Sequence, residues 1–385
     1  MKDVAILSAV RSPIAKAVKG KLKNIRPDTL CALIVRAAIE KSGIDPKAVE
    51  DVIIGCAMPE AEQGMNVARI ISLLSGLPDS ISAATVNRFC ASGLHAIADI
   101  AKSISVGQID VGIGGGVESM SLIPMGGHKL SVNPDLFLKY PEAYTTMGIT
   151  AENIANRFKI KREMQDQFAL SSNKKAIFSI KNGYFKDEII PISLDTSDNK
   201  DVKYIFNIDE CPRSDTSLSL LSKLKPVFSL NGTVTAGNSS HMSDGAAASV
   251  LINGSKAKIL QLPIMGYFRN FVTVGVPADI MGIGPVVAIK ALLNKTGLTL
   301  SDIGVIELNE AFASQAIYCI SALNLDENKV NPCGGAISLG HPLGCTGARQ
   351  VATILREMKR RNSRYGICSM CVGGGMGAAA LIELA

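Results

Sequence analysis

Residues 4–10 form a mostly apolar run, and from Thr29 apolar residues recur at Leu30, Leu33, Ile34, Ala37 and Ala38 until Gly43. A short continuous apolar run reads as a buried strand, and a three-to-four spacing closed by glycine reads as a helix. The alternation continues with a strand over 51–56 and a helix over 66–75 closed by Gly76 and Pro78. A strand over 83–86, a helix over 94–106 and a strand over 110–114 follow. Strands alternating with helices predict a parallel sheet covered by helices.

The pattern changes over 119–245, which is richer in polar and charged residues and holds a clear loop over 195–203. From about Pro263 the alternation resumes, with helices over 285–294 and 311–323 and a strand over 304–308 between them. A helix over 347–358 and a strand over Tyr365–Val372 complete the chain. The end of the chain echoes its beginning. Val86-Asn87 and Val330-Asn331 each precede a glycine-rich turn, a helix, and an apolar strand ending in three glycines. The expected architecture is therefore α/β, with two duplicated halves and an inserted middle segment. Residues 1–118 plus about 244–262 form the first half, 119–243 the insert and 263–385 the second half.

Composition narrows the field. The 385 residues are 47% hydrophobic and 19% charged, enough for one large unit or several packed domains and too apolar for disorder. A net charge of +6 with 5% aromatics and no Trp lacks the clustered basic and stacking residues of a nucleic-acid binder. The one tight basic cluster, Lys359, Arg360, Arg361 and Arg364, suits the C-terminal end of a helix. An anionic small ligand fits this balance better than DNA. No apolar stretch approaches the ~18 residues of a membrane span. The first ten residues lack the pattern of a secretory signal, and the final Leu381–Ala385 is not a peroxisomal address. Nine cysteines, an odd number, are then expected as reduced thiols in a cytoplasmic setting, most of them small core residues.

Several strings can carry chemistry. In Asn87-Arg88-Phe89-Cys90-Ala91-Ser92-Gly93 a strand ends and a helix begins, so Cys90 sits near a helix N-terminus. The unpaired N–H groups and dipole there can lower a thiol pKa below about 8.5, although a small buried cysteine is the plainer reading. His341, between Gly340 and Pro342, belongs to a turn rather than a core face, with room for a substrate. In Ser369-Met370-Cys371-Val372-Gly373 an apolar strand runs into flexible backbone whose N–H groups can face a developing oxyanion. Cys368 and Cys371 make one Cys-x-x-Cys spacing, but no second pair exists and the four histidines are scattered, so no metal site is expected. Gly373-x-Gly375-x-x-Ala378 fits a relaxed dinucleotide fingerprint, yet the chain ends before the acidic residue expected ~20 positions on. Asn309 follows a strand and opens a helix, at the carboxyl end of a sheet where α/β sites form. Residues 235–245 form a small-residue loop before an apolar strand.

Taken in order, these strings closely resemble the thiolase family, from Ala9-Val10-Arg11-Ser12-Pro13 through the Cys90 block, Asn309-Glu310-Ala311-Phe312, Gly340-His341-Pro342 and Cys371-Val372-Gly373 to Ala380. The resemblance implies a layered αβαβα core with an inserted coenzyme A-binding loop domain. It implies that Cys90 accepts the acyl group, that His341 is its base and that Cys371 exchanges the proton of the acetyl-CoA carbanion. Asn309 would hold a water that joins His341 in one oxyanion hole, and the N–H groups of Cys90 and Gly373 would form the other. Arg213, Ser240, Met147, Met281 and Phe312 would contact coenzyme A, which is a co-substrate; no permanently bound cofactor is implied. A homodimer or homotetramer is implied as well. Asn87-Arg88, Met147-Gly148-Ile149 and Met281-Gly282-Ile283-Gly284-Pro285 look more like degradative 3-ketoacyl-CoA thiolases. The alternative is a biosynthetic acetoacetyl-CoA thiolase, which usually has a His where this chain has Thr146 and a Gly where it has His241. Two other classes fit less well. A ketoacyl synthase would place a second His in place of Asn309 or Cys371. A degenerate lipid carrier would have lost Cys90, His341 or Cys371.

Overall fold

The computed structural model describes residues 2–195 and 203–385. Its strands are β1 (Val4–Arg11), β2 (Ala15–Lys16), β3 (Asp51–Gly55), β4 (Ser82–Val86), β5 (Val111–Ser119), β6 (Ile192–Asp195), β7 (Lys203–Phe206), β8 (Ser243–Asn253), β9 (Gly266–Gly275), β10 (Ile303–Leu308), β11 (Tyr365–Val372) and β12 (Met376–Leu384). One sheet runs β4-β3-β5-β8-β1-β9-β12-β11-β10, with β2 beside β8, and β6 pairs with β7 apart from it. The loop expected over 195–203 falls mostly on 196–202, outside the described residues; Asp195 ends β6 and Lys203 begins β7.

The duplication is written in the pairing. In one half β3 lies parallel to both β4 and β5, and β8 and β1 follow antiparallel. In the other half β10 lies parallel to β11, with β12 and β9 following antiparallel. A single parallel bridge from Ile306 to Val330 stands where the counterpart of β4 would be. The halves join through β1 and β9, with Ala5 opposite Tyr267.

The sheet is mixed, which corrects the expected parallel arrangement. A parallel return needs a crossover of a dozen or more residues, and only Gly373, Gly374 and Gly375 separate β11 from β12, so that pair must be antiparallel. The two glycine triplets also differ. Gly374 (φ 77°) and Gly375 (φ 84°) make this tight turn, using a backbone region that side chains disfavour. Gly114 and Gly116 lie inside β5, which continues to Ser119. A Cβ on Gly114 would come 2.5 Å from the Ile97 backbone, so these glycines let a helix settle on the strand.

Alternation along the strands builds the layers. On β8, Ala246, Ala248, Val250 and Ile252 face outward onto the helices Pro27–Ser42 and Val67–Leu74, while Ala247 and Leu251 face inward. On β12, Ala379 and Leu381 face the helices Gly284–Thr296 and Ala313–Leu323, while Ala378 and Ala380 face inward. The helices Ser92–Val106 and Leu343–Arg361 fill the interior between, burying Leu94, Ile97, Val351 and Leu355 against strands of both halves. The result is the αβαβα stack. From the middle segment Asp209 and Glu188 reach the fully buried Arg11 of β1, at 2.7 Å each.

Candidate active site

Cys90 lies in a single 3-10 turn, Phe89–Ala91, between β4 and the helix Ser92–Val106. Phe89 is left-handed (φ 42°), a costly conformation for a side-chain-bearing residue. Asn87 holds it there: its Oδ1 accepts the Phe89 N–H at 2.8 Å, and its Nδ2 donates to the Ala57 carbonyl at 3.0 Å. The Ser92 hydroxyl accepts the Arg88 N–H and donates to the Phe89 carbonyl. Cys90 is thus aimed inward, buried against Ala57, Met120 and Leu343.

Burial pushes the Cys90 thiol up to about 11, and the backbone of Gly373 and of Cys90 itself draws it only partly back. This corrects the expectation of a thiol lowered by the helix N-terminus. Desolvation of the thiolate outweighs the donors, and Glu118 adds further repulsion. At pH 7 the Cys90 sulfur is therefore a neutral thiol.

His341 occupies the turn between the helices Ala336–Leu339 and Leu343–Arg361, after Gly340 at φ 93°. Its N–H donates to the His241 carbonyl at 3.0 Å. Its Nε2 lies 3.2 Å from Asn309 Nδ2 and its Nδ1 2.6 Å from Thr346 Oγ1. Burial and then the positive Arg349 push the imidazole down to about 3, so it is neutral at pH 7.

Asn309 and Cys371 come from neighbouring parallel strands. Asn309 follows β10, its N–H donating to the Ser369 carbonyl of β11 at 2.8 Å, and Cys371 lies near the carboxyl end of β11. Among the described residues the buried Asn309 Oδ1 has no partner. Burial, followed by the nearby Cys90 sulfur, pushes the Cys371 thiol well above its ordinary value. Cys371 shares one apolar cluster with Met147, Met281 and Phe312. Gly373 lies just beyond, where a Cβ would stand 3.5 Å from the Met147 sulfur and 3.7 Å from Phe89.

Ser240 adjoins this cluster, donating its N–H to the Ala311 carbonyl at 3.0 Å, and Ser239 bridges to Phe312. Arg213 stands apart from it. The Arg213 guanidinium is exposed and pairs with Asp215 at 3.1 Å, beside a surface cavity of about 280 Å3 lined also by Lys174 and Lys181. His241 is pushed down to about 4 by burial, by Lys16 and by Arg213. Among the described residues no group of three or more His, Cys, Asp or Glu side chains could hold a metal ion, and the nine cysteines are all free.

Sequence reasoning missed Glu118. Its buried carboxylate accepts the N–H groups of Ala57 (2.8 Å), Met58 (3.2 Å) and Gly344 (2.8 Å), plus the Gln63 amide (2.7 Å). It ties the loop under Cys90 to the start of the helix that follows His341. The available signal was a lone acid in the otherwise apolar run of β5. Thr346 was missed as well; nothing in its sequence setting marks it beyond its place five residues after His341.

Residues 4–255 match the family described as Thiolase, N-terminal domain, and residues 262–384 match Thiolase, C-terminal domain. The chain belongs to the thiolase family. Similar to it over the full length is the 3-ketoacyl-CoA thiolase of Bacillus subtilis (strain 168), 50% identical over 390 residues and covering 100% of both chains. The crystal structure of the dimeric peroxisomal thiolase of Saccharomyces cerevisiae is 44% identical at a TM-score of 0.91, covering 100% of this chain and 98% of that one. The crystal structure of the Bacillus anthracis acetyl-CoA acetyltransferase is 39% identical at a TM-score of 0.92, covering 100% and 99%.

Proposed function

We propose that this thiolase cleaves 3-ketoacyl-CoA with coenzyme A, giving acetyl-CoA and an acyl-CoA two carbons shorter. The observation that carries the reading is the Cys90 turn lying against Gly373, two residues after Cys371, together with the contact of His341 Nε2 with Asn309 Nδ2 at 3.2 Å. Full-length identity of 50% to a relative named 3-ketoacyl-CoA thiolase supports that substrate class over acetoacetyl-CoA synthesis. The domain division read from the sequence goes with it: 119–243 inserted within a first half of 1–118 plus about 244–262, and 263–385 as the second half.

Cys90 gives its proton to His341 and its sulfur attacks the C3 ketone. The C2–C3 bond breaks, its electron pair moves to C2 of acetyl-CoA, and the Cys371 thiol protonates that carbon. Covalent capture splits one difficult step into two easier ones. The thiol of an incoming coenzyme A gives its proton to Cys371 and attacks the acyl-Cys90 thioester. The Cys90 thiolate departs and recovers its proton from His341. Backbone N–H donors at the thioester oxygen are worth several kcal/mol in such a site. Met147, Met281, Phe312 and Ser240 line the approach of the coenzyme and Arg213 meets its anionic part, with coenzyme A a co-substrate rather than a resident group. A homodimer or homotetramer is proposed, supported by the dimeric yeast structure, and a cytoplasmic setting, supported by nine free thiols.

The test is coenzyme A-dependent cleavage across 3-ketoacyl-CoA substrates from four carbons upward, with mass spectrometry after acetyl-CoA incubation. Cleavage should occur, one acetyl group should appear on Cys90, and Cys90→Ala should lose both. Undiminished thiolysis by Cys90→Ala protein sinks the assignment.

A further inference from the structure

The His341 ring is neutral and buried, so it carries one proton, and which nitrogen holds that proton decides whether the other can act as a base. Nε2 faces a donor, the Asn309 Nδ2 at 3.2 Å, and a nitrogen facing a donor must present its lone pair. With the Asn309 amide turned this way the ring proton sits on Nδ1, 2.6 Å from Thr346 Oγ1. A hydroxyl can accept that proton's hydrogen bond only if its own proton points elsewhere. The Pro342 carbonyl receives it, 3.0 Å from Oγ1. Thr346 sits in the first turn of the helix Leu343–Arg361 and is fully buried, so no solvent competes for either contact.

From this chain of contacts we infer that Thr346 is a positioning residue for the thiolase reaction, its hydroxyl accepting a hydrogen bond from the Nδ1–H of His341 and donating one to the Pro342 carbonyl, so that the Nε2 lone pair is the one that receives the Cys90 proton. When that proton arrives the ring is an imidazolium with donors on both nitrogens. Nδ1–H keeps its acceptor in Thr346 without movement of any heavy atom. Nε2–H can meet the Asn309 Oδ1, which has no partner among the described residues and reaches the ring by turning the amide end for end. A methyl in place of the hydroxyl offers Nδ1–H nothing, and a buried donor without an acceptor is unfavourable. The ring would then be driven to keep its proton on Nε2, the wrong nitrogen for a base.

This inference rests on His341 acting as the base for Cys90, and the experiment separates the two. The near-isosteric Thr346→Val and Thr346→Ala, with Thr346→Ser as the conservative rescue, are compared in labelled full-length protein by histidine-ring 15N spectra. Each is also followed by the rate of Cys90 acylation from acetyl-CoA. Native and Thr346→Ser protein should show His341 with its proton on Nδ1. Thr346→Val should lose that signature and acylate at least tenfold more slowly, a part of the 10²–10⁴ that a positioned base supplies, with KM for acetyl-CoA within about threefold. Should the valine variant misfold, the alanine variant carries the same readout. A valine or alanine variant that keeps the Nδ1–H signature, or acylates at the native rate, overturns the role of Thr346. If instead His341→Asn acylates normally while the ring spectra behave as expected, it is the base assignment that fails.

Discussion

At Cys90 two effects oppose each other: two backbone donors stabilise a thiolate, and a nearly water-free surround destabilises it. The surround wins, leaving the thiol pushed up to about 11 against an imidazole pushed down to about 3. A raised thiol pKa means the thiolate fraction keeps growing as pH rises toward that value. Alkylation of Cys90 by iodoacetamide, read by mass spectrometry at its own peptide, should therefore climb from pH 7 past pH 9 without levelling. A plateau reached by pH 7 would mean that the helix N-terminus and the two donors prevail after all. Cys90, His341, Cys371 and Asn309 could be singled out in the sequence because glycine, proline and strand ends surround them. Glu118 and Thr346 could not. Glu118 acts through Gly344, 226 positions away in the chain, and Thr346 through a ring whose orientation only the fold supplies.

Between elements, the site depends on how closely two helices approach. A Cβ on Gly93 would stand 2.5 Å from the Gly344 carbonyl oxygen and 3.0 Å from the Ala348 nitrogen, so backbone meets backbone there. The first helix carries Cys90 at its entrance and the second follows His341. Gly93→Ala would have to push the helix behind Cys90 away from the helix behind His341 in order to fit. It should lower stability by about 1–3 kcal/mol, the usual cost of overpacking, and slow Cys90 acylation well beyond that of a stability-matched surface variant. Urea denaturation and the acylation rate together check this; unchanged acylation would show that the helices have slack. Helix and strand positions were largely legible here, because the apolar spacing of segments such as Leu30 to Ala38 admits one reading. Pairing direction was not, since an apolar run is the same in parallel and antiparallel neighbours. β9, half-exposed along much of its length, left no continuous apolar run to find.

Across the whole molecule, duplication explains why the site lies where it does: β3, β4 and β5 of one half and β10 and β11 of the other direct their carboxyl ends at the central helix pair, so one half delivers Cys90 and the other Asn309 and Cys371. The repeated Val-Asn pairs made this symmetry readable in the sequence, whereas the attachment of the middle segment was not, because it joins residues far apart in the chain, a buried arginine of β1 among them. Arg11 makes a two-pronged contact with Asp209, at 2.7 and 2.8 Å, and a third bond with Glu188 at 2.7 Å, all within a fully buried setting. Asp209 in turn accepts the Ile14 N–H, and Glu188 accepts the Thr353 hydroxyl from the central helix. Removing the arginine leaves two carboxylates buried without their counter-charge, a loss that costs about 3–5 kcal/mol where a buried pair is broken. Arg11→Ala should therefore lose that much unfolding free energy in guanidinium titration. Arg11→Lys should lose part of it, since one ammonium cannot reproduce the planar fork that spans both acids. If Arg11→Ala loses less than about 1 kcal/mol, the middle segment is held by its apolar contacts, Phe185 and Ile189 against Cys333 and Leu339 among them, and the buried charges serve orientation rather than attachment.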